Sequence, residues 1–220
     1  MDHLRQRARS VLASTAGVAL AAASGAVAAV RSARKPLHPR GAVVAAQLRR
    51  HGTTPATGAS WLDERSVDEV LVRRSRAIGL PALAPDVHGL ALRVPLPGGG
   101  HGDVLFASTG LGRLSRFVLT ASRSPYGRPM TTLLPYRTPQ GPVLLSATAT
   151  AENQFDLAVA SPAGSWRPFA TLVLSSTGGA DRLVSFDPLR NELPGLRNYD
   201  WVRRLREPAY LVARRSRGEI

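Results

Sequence analysis

From Gly41 onward the chain is cut into short apolar runs by glycine and proline, 20 and 17 of them in 220 residues, and this punctuation decides what it can become. A helix of ordinary length tolerates neither residue inside it, whereas runs of four to eight residues bounded by turn formers suit strands. The runs 41–48, 69–77, 89–94, 103–108, 116–121, 142–148, 155–160, 169–175 and 182–186 are therefore expected as strands. Leu144 to Val159, broken by Ala151-Glu152-Asn153, reads as a hairpin. No fixed period recurs, which argues against a solenoid or propeller. So many antiparallel strands hide their edges most simply by closing on themselves, so the expected fold is α+β, an antiparallel barrel of about eight strands with flanking helices.

The tail changes character. Asn198 to Arg217 is rich in arginine and poor in β-branched residues, with Trp201, Leu205 and Leu211 among its apolar positions, and a helix is expected there. Pro208 should kink it or open a new turn, because proline cannot donate to the carbonyl four residues back.

Residues 1–34 read as an Ala-rich helix with basic flanks, and residues 35–220 as the barrel domain with its C-terminal helix. Positions 11–30 carry no charge, while Arg5, Arg7 and Arg9 precede them and Arg31, Arg34 and Lys35 follow. The length suits a membrane span, but small residues dominate and give little driving force for insertion. A surface arm, a span and a signal sequence ending at Ala26-Val27-Ala28 all remain open. The expected location is the cytoplasm, with membrane association through 11–30.

The formal charge of +14 invites a nucleic-acid reading, yet aromatics make up only 5% of the chain and do not interleave with the arginines, which argues against a single-strand binder. An anionic membrane surface is the alternative partner. Cysteine is absent, so disulfides, thiolate metal sites and thiol nucleophiles are excluded.

The most informative spacing is Arg206-Glu-Pro-Ala-Tyr210, because residues four apart share a helix face. A phenol that binds ferric iron gives up its proton, and a neighbouring guanidinium stabilises the phenolate. Arg217 follows seven residues later.

Here the chain resembles the haem catalase superfamily, whose small members place Arg-x-x-x-Tyr on a helix with a further arginine about two turns on. Upstream, Leu37-His38-Pro39-Arg40-Gly41 is similar to the family's distal-histidine segment, Val72-Arg73-Arg74-Ser75 to its Val-Arg-x-Ser, and Asp86-Val87-His88-Gly89-Leu90-Ala91-Leu92-Arg93 to the strand that follows. Trp166, then Ser185-Phe186-Asp187-Pro188 before Leu193-Pro194-Gly195, look like the closing barrel strands.

The resemblance implies haem b ligated by the tyrosinate of Tyr210, with Arg206 beside it and Lys35, Arg73 and Arg217 facing the propionates. His38 would be the distal acid and base and Ser75 its orienting partner. It implies peroxidase or hydroperoxide-processing activity on peroxide or an organic hydroperoxide, in a monomer or dimer. The chain departs from the family pattern where the distal asparagine is expected: Ala107 stands there, with Ser108 next to it. Pro39 follows the histidine and Lys35 replaces an arginine, so catalase turnover should be weakened.

Two rival readings use other residues. Asp86-x-His88 and His101-x-Asp103 could gather two imidazoles and two carboxylates across neighbouring strands, as a metal-dependent phosphodiesterase or hydrolase would need. A non-catalytic module held to anionic lipid by its arginines and its N-terminal segment is the other.

Overall fold

The computed structural model describes residues 41–77, 84–175 and 184–216. Within them lie ten strands: β1 (Gly41–Arg50), β2 (Ser66–Arg76), β3 (His88–Pro95), β4 (His101–Ser108), β5 (Met130–Thr131), β6 (Tyr136–Thr138), β7 (Gly141–Ala151), β8 (Gln154–Ala160), β9 (Arg167–Leu174) and β10 (Arg197–Asn198). A single helical turn, α1 (Ser60–Asp63), precedes β2, and a long helix, α2 (Asp200–Ser216), follows β10. Neighbours run β7-β5-β4-β3-β2-β1-β9-β8, and β8 pairs again with β7, so eight antiparallel strands close a cylinder. β6 and β10 extend one side of it from β7.

Alternation fixes which face points inward. On β3, His88, Leu90, Leu92 and Val94 are buried while Gly89, Ala91 and Arg93 are half-exposed. Register carries this across the sheet, because Val72 lies opposite Leu92, and Leu92 opposite Val104. With Leu48, Leu157 and Leu172 these side chains fill the interior, each full burial contributing about 2 kcal/mol. The cylinder is a packed core rather than a channel. At one mouth Arg74 donates to the Tyr126 hydroxyl and its guanidinium lies 5.9 Å from that ring.

Three expectations are corrected. Residues 116–121 form no strand: Ser115–Phe117 is a 3₁₀ turn, because Arg116 turns inward to bind backbone carbonyls. Residues 184–186 of the expected last strand form no ladder, and 182–183 lie outside the described residues. That segment instead packs on β4 as a loop, with Asp187 N–H donating to Asp103 Oδ2 at 2.8 Å. α2 runs unbroken through Pro208. The carbonyl that Pro208 leaves without an N–H donor belongs to Arg204, an exposed residue that water can serve.

Candidate functional site on the outer face of the barrel

Residues directly opposite each other on antiparallel strands share a face, so the register defines a row across the outside of the cylinder. It runs Gly41, Ser75, Gly89, Ala107, Thr131, Ser146. Every side chain in it is small. Arg73 stands on the same face two residues along β2, opposite Ala91 and then Leu105. A Cβ placed on Gly89 would come within 2.8 Å of Ser75 Oγ, so the serine hydroxyl lies over a position that only glycine leaves open. From Ser75 to Ala107 is two strand spacings, about 10 Å, comparable to the width of a porphyrin ring. Gly41, which ends the Leu37–Gly41 motif, sits opposite Ser75 at one end of this trough.

The other end of the trough meets α2. Ala107 packs on a cluster of Leu133, Leu134 and Val202, to which Trp201 and Leu205 of the helix also belong. Arg206, one turn on, donates from Nη2 to the Thr132 carbonyl at 3.3 Å, beside the row at Thr131. Glu192 holds the start of the helix: its carboxylate accepts Asn198 N–H at 2.9 Å, the Asn198 side-chain amide at 3.1 Å and the Arg203 guanidinium. Burial would raise this carboxyl, but those donors outweigh burial and hold it below its usual range.

Tyr210 is half-buried and forms part of the electrostatic surroundings of Tyr136 on β6. The Tyr136 hydroxyl is pushed up to about 12, first by burial, with the Tyr210, Glu192 and Asp103 charges adding and the Arg206 guanidinium opposing. Tyr136 is therefore neutral at any physiological pH, and the Arg206 guanidinium lies close enough to act on this phenol. Sequence reasoning missed it because β6 has three residues and shows no periodicity.

Ser108 has no place on the trough. It points inward, 1% exposed, accepting from His88 N–H at 3.1 Å and donating to the Thr120 carbonyl at 2.6 Å. Only the Ala107 methyl faces out at that end, so β4 presents no side-chain donor there. Lys35, His38, Pro39 and Arg217 lie outside the described residues.

Two solved structures resemble this arrangement. A bacterial catalase superposes with a TM-score of 0.56 at 12% identity, covering 82% of this chain and 57% of that one. A fungal catalase gives 0.58 at 12% identity, over 82% and 59%. The barrel has the catalase fold. This chain spans less than three-fifths of either catalase. No family model and no curated protein sequence matches it.

The four residues of the hydrolase reading are not brought together. His88 and His101 stand at opposite ends of the β3–β4 hairpin, since His101 pairs with Pro95, seven residues and about 23 Å along the strand from His88. Each half has structural work. Asp86 pairs with Arg76 at 3.4 Å, and His88 Nε2 lies 2.9 Å from the Ser122 carbonyl. Asp103 receives both arms of Arg93 at 2.9 and 3.0 Å and the Asn191 amide at 2.9 Å. Among the described residues no group of three or more His, Asp or Glu side chains could hold a metal ion.

Proposed function

We propose that this chain is a haem protein that processes organic hydroperoxides as a slow peroxidase, with hydrogen peroxide dismutation weakened. The observation that carries the reading is the meeting of α2 with the small-residue trough: the helix bearing Arg206 and Tyr210 packs against Ala107, in the row that includes Ser75. The residues present suit a flat apolar ring. Gly89 and Ala107 leave space, Arg73 offers a cation to a propionate on the same face, and Tyr210 supplies an oxygen donor whose anionic form Arg206 favours.

When bound, haem supplies a ferric centre at which an O–O bond can be broken heterolytically. The chain's own part is positional and protonic. His38 would accept a proton from the substrate hydroperoxyl group and return it to the leaving oxygen, with the Ser75 hydroxyl as the group that would orient the imidazole. Arg206, four residues before Tyr210 on the same helix, would favour the phenolate that a metal ligand requires. The methyl of Ala107 offers no hydrogen bond to hydrogen peroxide, whereas an organic hydroperoxide gains contact from the apolar wall. The resemblance would add Lys35 and Arg217 as further propionate partners.

The test is an absorption spectrum of the chain reconstituted with haem b, for wild type and Tyr210→Phe. Wild type should bind haem one to one with a high-spin ferric spectrum, and Tyr210→Phe should change that spectrum and weaken retention by at least about tenfold. An unaltered spectrum in Tyr210→Phe, or no stoichiometric uptake by wild type, overturns the reading.

A further inference from the structure

The β4–β5 connection, residues 109–129, does work that the haem reading does not use. Its base is closed by a hydrogen bond from Thr109 N–H to the Pro129 carbonyl at 2.9 Å. Its inner side is pinned at three places. Thr120 N–H reaches the Ser108 carbonyl at 2.8 Å, Ser122 exchanges two backbone bonds of 2.9 Å with Asp86, and Arg116 is buried against carbonyls of Leu111, Gly112, Ser161 and Gly164. Two large apolar side chains of the loop meet solvent. Leu114 is 68% exposed and Val118 49%, on either side of the braced turn. Arg113, Arg123 and Arg128 of the same loop are also exposed.

No carboxylate neutralises these arginines from within the segment. Between Asp103 and Glu152 lie 48 residues with five arginines and no acid. Asp86, which the loop touches, is fully buried and paired with Arg76. Single exposed apolar residues are ordinary, but two held outward on a rigid turn inside an acid-free, arginine-studded loop fit a partner that is apolar within and anionic at its surface. Nucleic acid offers the phosphates without an apolar phase for aliphatic side chains, and of the loop's two aromatics Phe117 is buried and Tyr126 is already engaged by Arg74.

We propose that this loop docks on an anionic lipid bilayer, with Leu114 and Val118 entering the headgroup boundary and Arg113, Arg123 and Arg128 meeting lipid phosphates. Each arginine near such a surface is worth about fivefold in affinity, and the contribution fades with salt.

The test is co-sedimentation of the full chain with phosphatidylcholine vesicles, with and without phosphatidylglycerol. Binding should require phosphatidylglycerol, weaken at high salt, and fall by about tenfold or more in Leu114→Asp and in Val118→Asp. Val67→Asp and Val173→Asp, which place the same charge at exposed valines of β2 and β9, should bind like wild type. Unaltered melting of all four variants excludes misfolding as the cause. The proposal is overturned if Leu114→Asp and Val118→Asp bind like wild type, since the N-terminal segment or bulk charge then suffices. Equal binding to neutral vesicles overturns it too, as does an RNA oligonucleotide or a second copy of the chain whose binding, rather than that of vesicles, depends on Leu114.

Discussion

Arg116 should be among the costliest single side chains to replace. Its guanidinium, 2% exposed, has no carboxylate partner among the described residues and donates to backbone carbonyls: Nε to Gly112 at 3.1 Å, Nη1 to Ser161 and Gly164 at 3.1 and 3.0 Å, Nη2 to Leu111 at 3.1 Å. Its charge also lies 4.6 Å from the Trp166 ring. Burial, and then the nearby Arg113, lower its affinity for the proton below that of ordinary arginine, so part of the gain is spent on desolvation. Four charge-assisted bonds at about 1.5 kcal/mol each give roughly 6 kcal/mol, and several kcal/mol of desolvation offset about half. Arg116→Met keeps the stem and strands four carbonyls, so the expected loss is about 3 kcal/mol, or a fall in Tm of about 6–12 °C for a chain of this size. Arg116→Lys should recover less than half of that, because three donors on one nitrogen cannot fan across four carbonyls on two separate segments. Thermal and urea unfolding followed by circular dichroism measure both. An Arg116→Met protein that melts within about 2 °C of wild type would refute the reasoning.

Asp63 gives a pH-dependent counterpart. Burial alone would raise its carboxyl, but bonds from the Thr53 hydroxyl and from the Thr57 and Gly58 donors outweigh burial and hold it below the ordinary 3.8. A depressed carboxyl stabilises fully above its unfolded value and loses that contribution as pH falls through the folded one, so wild type should lose stability below about pH 4 faster than Asp63→Asn. Parallel urea midpoints for the two proteins from about pH 5 to pH 3 would contradict this. For the trough, Gly89→Leu should leave the barrel folded, since Ser75 Oγ can rotate away, yet reduce haem uptake by about tenfold or more. Wild-type uptake by that variant would place haem elsewhere.

Most of the barrel was legible because its strands are long enough to show alternation. The runs at Gly41, Gly89, Asp103 and Phe155 place Leu48, Leu92, Phe106 and Leu157 on one face, and all of these lie in the core. Strands β5, β6 and β10, of two or three residues, have no period to read. Arg116–Ala121 was misjudged because a buried arginine satisfied by distant carbonyls at Ser161 and Gly164 leaves no local trace. The expectation for Asp86, His88, His101 and Asp103 failed on register: spacing within each strand showed a shared face but not that the two pairs sit at opposite ends of one hairpin. Arg206 and Tyr210 could be named as candidates from their spacing, and Arg73 and Ser75 from the resemblance of their segment to Val-Arg-x-Ser. The trough between them could not, because it is made by Gly89 and Ala107, whose contribution is what they lack.

The order of pairing also bears on how the cylinder is completed during synthesis. β9 is the stave inserted between β1 and β8, and it is the last of the eight to leave the ribosome. Until residues 167–174 are made, β1 and β8 each keep an open edge, separated by more than a hundred residues of chain. Enclosure of the interior is thus deferred to one late, long-range event. A chain stopped short of β9 is left with two exposed edges able to recruit other strands.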